Sequence, residues 1–292
     1  MLRRIAYGLA REEGVNRPMS LIQSILAVIS GGVVGLSLGL LGGGGSILAV
    51  PLLLYVVRLK DPHVVIGTSA FAVSLSAYLN LIPHARAGHV RWKPAIWLAI
   101  PGVLGALVGA YFGHRVGGKD LLFLFALLML VIAGLMMRPK AARPAPARAV
   151  STGEGNGLAD AAPAPASRPE RVLPTGFLVG ALSGFFGIGG GFLIVPGLVF
   201  SSGLSMIDAI GSSLVAVGTF GLTTAISYAA VGLINWLALL EYTAGGILGG
   251  FLGYAIATRL SHHRSALNYI FSAVIIVVAL YMLYRNATVV HL

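Results

Sequence analysis

From Met19 to Val57 the chain carries no charged side chain, and inside that run stand four consecutive glycines, in "GLLGGGGSILAVP" (Gly39 to Pro51). An uncharged apolar stretch of this length is far too long for a strand of a barrel and long enough to cross the roughly 30 Å hydrocarbon core of a bilayer as a helix. Leu121 to Met137, "LLFLFALLMLVIAGLMM", is a second such run without period-two alternation. The walls are therefore expected to be helical, and the glycines become the puzzle. A backbone that leaves helical geometry inside a membrane exposes amide and carbonyl groups that lipid cannot satisfy. Such a break is tolerated only inside protein or along a wet cavity.

Composition agrees: 57% of the residues are hydrophobic and 10% charged, values foreign to a soluble domain. The net charge of +11 sits in tails and short connections. It reads as orientation in the bilayer and attraction to anionic lipid, not as a nucleic-acid surface. With no cysteine, disulfides, thiolate metal sites and cysteine catalysis are excluded. The basic segment 1–20 precedes an apolar run longer than a signal peptide's and is expected to lead into a retained first helix.

The chain is internally repetitive. An offset of 145 lays "GLSLGLLGGGGSILAVP" (Gly35 to Pro51) on "GALSGFFGIGGGFLIVP" (Gly180 to Pro196), matching Gly35, Gly39, Gly42, Gly44, Gly45 and Pro51 with Gly180, Gly184, Gly187, Gly189, Gly190 and Pro196. An offset of 144 lays "IGTS" at Ile66 on "IGSS" at Ile210, and "GHVRW" at Gly88 on "GLINW" at Gly232. The expected organisation is a tail at 1–20, a membrane repeat at 21–137, a linker at 138–174, a second membrane repeat at 175–285 and a tail at 286–292. The linker, rich in Pro, Ala and Arg, has too little apolar surface to recover its ordering entropy and is expected to be disordered.

The fold class is thus an all-α polytopic membrane protein of two homologous repeats, with about eight to ten membrane segments. In the first repeat these run near Leu21–Leu41, Ser46–Val57, Val64–Ile82, Pro94–Gly113 and Leu121–Met137. The second segment is too short to cross alone, so each repeat is expected to carry a helix break or re-entrant hairpin at its glycines. An odd number of crossings per repeat makes the repeats inverted, an even number parallel. The half-helix beginning near Ser46 presents free N–H groups and a positive dipole end, which attract anions. Paired interruptions at corresponding positions mark a transporter's substrate site. The spaced glycines Gly105, Gly109 and Gly113, and Gly245, Gly249 and Gly253, read instead as close helix packing.

Two copies of "G-x-x-x-G-x-x-G-x-G-G-x-x-x-x-x-P", each followed by "G-[TS]-S" and "G-x-[VI]-x-W", resemble the sulfite exporter TauE/SafE family of membrane permeases over nearly everything but the tails and linker. The resemblance implies a proton-coupled secondary transporter of organosulfur anions such as sulfite, sulfoacetate and other sulfonates, in the bacterial cytoplasmic membrane. The residues themselves point to an anion without choosing sulfur over phosphorus or carboxylate. Uptake, and another anion such as sulfate or a carboxylate, stay open.

Candidate substrate-binding residues are Gly43, Gly44, Gly45 and Ser46 with Gly189, Gly190 and Gly191 at the breaks, and the hydroxyls of Thr68, Ser69, Ser212 and Ser213, which can donate to a sulfonate oxygen or bond their own helix. The halves differ most at "IPHARAGHVRW" against "ISYAAVGLINW", where His84 aligns with Tyr228 and Arg86 with Ala230. Arg86, offering a planar fork of donors, leads the charged candidates, with His84 and Tyr228 beside it. Glu241, about 7.5 Å beyond Trp236 along a helix, is a coupling candidate. Asp61 and Asp208 read as helix starts. With no H-E-x-x-H, no G-x-S-x-G and no intramembrane aspartate pair, an intramembrane enzyme is disfavoured, and no metal or cofactor is expected. The expected partners are a small organosulfur anion and membrane lipid, with a homodimer compatible with the chain's size.

Overall fold

The computed structural model describes residues 19–137, 169–186, 191–202, 204, 206–259 and 275–285. These residues are helical, with no strand among them. In chain order the helices are α1 (Leu21–Leu41), a mixed segment α2, α3 (Pro62–Arg86), α4 (Trp92–Gly113), α5 (Gly118–Met137), α6 (Pro169–Phe186), α7 (Gly191–Ser202), α8 (Met206–Ala229), α9 (Trp236–Arg259) and α10 (Ile275–Arg285). Five stretches are long and apolar enough to cross a membrane: Leu21–Leu41, Pro62–Arg86, Trp92–Gly113, Asp208–Ala229 and Trp236–Ile256. Their outward faces carry exposed Leu, Ile, Val and Phe, such as Ile25 and Ile29 on α1, Leu104 and Leu107 on α4, and Leu248 and Leu252 on α9, as lipid contact requires.

Local sequence sets the helix starts. Ser20 and Gln23 form a reciprocal capping box at α1. Asp61 accepts from the amides of His63 and Val64, with Pro62 as the first residue of α3. Asn235 Oδ1 accepts from Ala238 N at 2.9 Å to open α9. The helix α6 begins at Pro169, inside the stretch read as linker, and residues 138–168 lie outside the described residues.

Segment α2 departs from the expectation that it is too short to cross. It consists of a 3-10 stretch Gly42–Leu48, one α-helical turn Ala49–Pro51 and a π turn Leu52–Val56. A 3-10 helix rises about 2.0 Å per residue against 1.5 Å for an α-helix, so few residues reach far. Gln23 Nε2 donates to Val57 O at 3.2 Å, which places the end of α2 back at the level where α1 began. The glycines therefore lie at a reversal of the chain rather than at a kink in one helix, and α2 is the return leg. Gly42 makes the reversal possible with φ of 65°, and a side chain there would collide with Ile210 and Ser213 of α8.

Helix directions follow from which residues meet. Along α1 and α9, Gly31 faces Tyr242, Gly35 faces Gly246 and Gly39 faces Gly250, so these two run parallel with backbones touching. Along α4 and α6, Gly105 faces Phe177, Gly109 faces Ala181 and Gly113 faces Phe185, again parallel. Helices α3 and α8 run antiparallel: Gly221 meets Ala70, and Ser74 Oγ donates to Gly218 O at 2.7 Å. Ser74 and Gly218 are themselves separated by the offset of 144 found in the sequence. Corresponding helices that run antiparallel are what inverted repeats require and parallel repeats forbid.

Apolar association gains little inside lipid, so these close glycine contacts carry the helix packing. A methyl group at Gly35 has no room against the Gly246 backbone, whereas one at Gly134 meets nothing within 4 Å. Gly35→Ala should lower the thermal midpoint of the detergent-purified protein, by the equivalent of about 1–3 kcal/mol of overpacking. Gly134→Ala should leave it unchanged, and equal midpoints for the two would show that the α1–α9 seam is not close-packed.

Candidate functional site

The candidate residues gather at two places near opposite ends of the α3–α8 pair. At the first, Gly43 N donates to Ser213 Oγ at 3.2 Å, tying the 3-10 stretch to α8. Ser213 Oγ donates in turn to Ile210 O at 2.7 Å, and Ser46 Oγ to Gly43 O at 2.9 Å. Gly44 lies in the same stretch, and Gly45 packs against the backbone of Ser37 and Leu38. His84 is buried beside this reversal, its ring 5.1 Å edge-on from Tyr254 of α9 and its Cβ near Gly211 of α8. Its ring lies near the backbone of Gly39, and neither nitrogen makes a hydrogen bond of good geometry among the described residues.

At the second place Tyr228, the counterpart of His84, is fully buried against Gly67. Its ring lies 4.0 Å from that of His114 and 6.4 Å from that of His63. Burial, and secondarily the neighbouring His63, hold His114 below the ordinary histidine range, just beyond the end of α4.

The conserved-spacing hydroxyls serve the scaffold in this structure. Thr68 Oγ1 accepts from Asn235 N at 3.0 Å, and Ser212 Oγ accepts from Arg91 N at 2.8 Å. These two bonds correspond under the offset of 144, each half holding the entry to a helix of the other. Ser69 Oγ donates to Ile66 O at 3.0 Å. Asp208, read as a helix start, lies in the first turn of α8, where it also takes Arg91 Nε at 3.1 Å and stands 3.9 Å from His89 Nδ1. Arg86 ends α3 and is exposed, so its guanidinium belongs to the mouth of this region rather than to its interior. Glu241 lies within a membrane span, partly buried, with Oε2 lacking a partner among the described residues. Gly191 opens α7, and Gly189 and Gly190 lie outside the described residues. Among the described residues no cluster of three His, Asp or Glu is placed to hold a metal.

Ser76 and Asn80 escaped the sequence reading. They precede His84 at steps of four, so all three occupy one face of α3, a periodicity legible in "SAYLNLIPH" once a helix is assumed. Both are buried, and Asn80 Nδ2 has no partner among the described residues.

A bundle of apolar-faced helices around buried, unpartnered polar groups defines a multi-pass membrane transporter. Comparison with known proteins narrows the class. The family description "Sulfite exporter TauE/SafE" matches residues 27–282, and the chain belongs to that family. A probable membrane transporter protein of Xylella fastidiosa (strain Temecula1) is 49% identical over 273 residues, covering 91% of this chain and 97% of its own. Probable membrane transporter protein YunE of Bacillus subtilis is 27% identical, covering 81% of this chain and 89% of its own. Probable membrane transporter protein MamO of Magnetospirillum gryphiswaldense is 28% identical over 81% of this chain and 41% of its own. No solved structure matches.

Two measurements follow from the bonds above. Thr68→Val should lower the thermal midpoint, by the equivalent of about 1–3 kcal/mol, because it strands the buried Asn235 amide. Transport per folded molecule should change less than stability; the opposite pattern would make Thr68 a substrate ligand. Because burial lowers the pKa of His114 in the fold below the ordinary histidine value of 6.5, the unfolded chain binds the proton more readily and stability should fall as pH drops through that value. His114→Phe should reduce that pH dependence in a thermal-shift series from about pH 8 to about pH 5.

Proposed function

We propose that this protein is a secondary transporter that exports small organosulfur anions such as sulfite or sulfoacetate across the bacterial cytoplasmic membrane, with proton coupling and alternating access between its two halves. The observation that carries the reading is the buried chain reversal at Gly42–Leu48, bonded to Ser213 and set beside His84, whose nitrogens make no hydrogen bond of good geometry among the described residues. A non-α backbone stretch in a membrane interior is tolerated only inside protein or along a wet cavity. The family's description as sulfite exporters supports a sulfur anion. Tyr228 lines the opposite end of the same path. Arg86 acts at the mouth, raising the local concentration of anions, and Glu241 carries the coupling proton.

Flux of labelled sulfite and sulfoacetate into proteoliposomes, with and without a pH gradient, tests this. Saturable, gradient-responsive flux is expected for the parent protein. His84→Phe should abolish most of it, while Arg86→Ala should raise KM several-fold, more at low salt, with little change in kcat. Glu241→Gln should remove the response to the gradient. Flux of sulfate or a dicarboxylate in place of both sulfur compounds would move the substrate to another anion.

A further inference from the structure

The two halves match in sequence at offsets of 144 and 145 and differ in what lines their equivalent seams. Where α3 meets α9, Ser76 Oγ stands at Gly246, 2.5 Å from where a Cβ would be. One turn on, the Asn80 amide fills the notch at Gly250, and one turn further His84 meets Tyr254. The equivalent seam lies between α8 and α4. There Phe220, the counterpart of Ser76, lays its ring over Gly102, the counterpart of Gly246. Thr224 replaces Asn80, and Ala106 and Ala110 replace Gly250 and Tyr254. Both seams hold buried polar atoms without partners among the described residues, Thr224 Oγ1 and the Tyr228 hydroxyl on the α8–α4 side included; the difference is that Phe220, 0% exposed, lays an aromatic ring where the other seam has Ser76.

The polar line along α3 is incomplete as it stands. Asn80 is 3% exposed, yet Nδ2 has no partner among the described residues, and neither nitrogen of His84 makes a hydrogen bond of good geometry among them. Buried polar atoms left unpaired in a membrane interior cost free energy unless water or a ligand meets them. Ser76, Asn80 and His84 stand in register on one helix face, the first two against Gly246 and Gly250, and Asn80 and His84 carry the unpaired atoms that something passing could meet.

We propose that the anion crosses by the α3–α9 seam alone, with Asn80 as a substrate-contacting residue between Ser76 and His84, and that the α8–α4 seam is closed by Phe220. This rests on the transport reading above and assigns its route. An amide N–H suits a singly or doubly charged oxoanion because it donates without a fixed counter-charge that would trap the substrate.

The absence of cysteine makes the test direct, because any introduced thiol is the only one. Asn80→Cys, Ser76→Cys, Thr224→Cys and Phe220→Cys are each reconstituted and treated with 2-sulfonatoethyl methanethiosulfonate, itself a small sulfonate. The cysteine thiolate attacks its sulfenyl sulfur, forming a disulfide and releasing methanesulfinate. Cysteines at 80 and 76 should react at least about tenfold faster than those at 224 and 220, the ratio that about 1.4 kcal/mol of difference in access gives. Sulfoacetate should slow only the first pair. Equal rates, or faster reaction at 224 and 220, overturn the one-sided route. If Asn80→Cys does not fold, Ser76→Cys against Phe220→Cys decides the same question. A parent protein that moves no organosulfur anion, while 80 and 76 still react preferentially, would sink the substrate assignment and leave the route standing.

Discussion

The structure depends on helix backbones that touch. Lipid is as apolar as leucine, so a membrane protein cannot hold its helices together by hiding apolar surface from water, and must rely on dispersion contacts made at close range. The parallel seams α1–α9 and α4–α6 do this by placing glycine against backbone along several turns. Each seam joins a helix of the first half to one of the second. Neither half therefore has an interior of its own, and the antiparallel α3–α8 pair is held between the two seams as the element both halves share.

Reciprocal polar bonds refine that arrangement. Thr68 holds the start of α9 and Ser212 the start of α4, at corresponding positions and in opposite directions. Around this exchange the side chains diverge: Arg91 with Asp208 where the other half has Asn235 and Val64, His84 where it has Tyr228, Ser76 where it has Phe220. The correspondence is kept in the bonds that build the frame and lost in the side chains around them.

Much of this was legible in the sequence because it is written in glycine. The spaced glycines of α4 and α9 announced close packing, and the clustered ones at Gly42–Gly45 announced a departure from α-helix in an interior. The return leg was not legible, because apolar length was converted to distance at an α-helical rise and no composition rule signals a 3-10 stretch. Thr68 and Ser212 were read as candidates for a sulfonate because a hydroxyl early in a helix carries no sign of an amide arriving from a distant residue. Arg86 was a candidate for its planar fork of donors, and its exposed place is set by where α3 ends. Asn80 was missed because a single amide in an apolar run has meaning only once the facing helix, and its bare glycines, are known.

The two sharp turns before α4 and α9 contain Gly88 and Gly232, with φ of 73° and 70° at corresponding positions. Unlike the seam glycines, each has nothing within 4 Å of where a side chain would begin. What confines these two sites to glycine is therefore not space but handedness. A mirror-image amino acid would suit the backbone of either turn, whereas at Gly35 an alanine side chain would run into the helix pressed against it. The same residue type thus answers two separate demands in one chain, chirality at its turns and thickness at its seams.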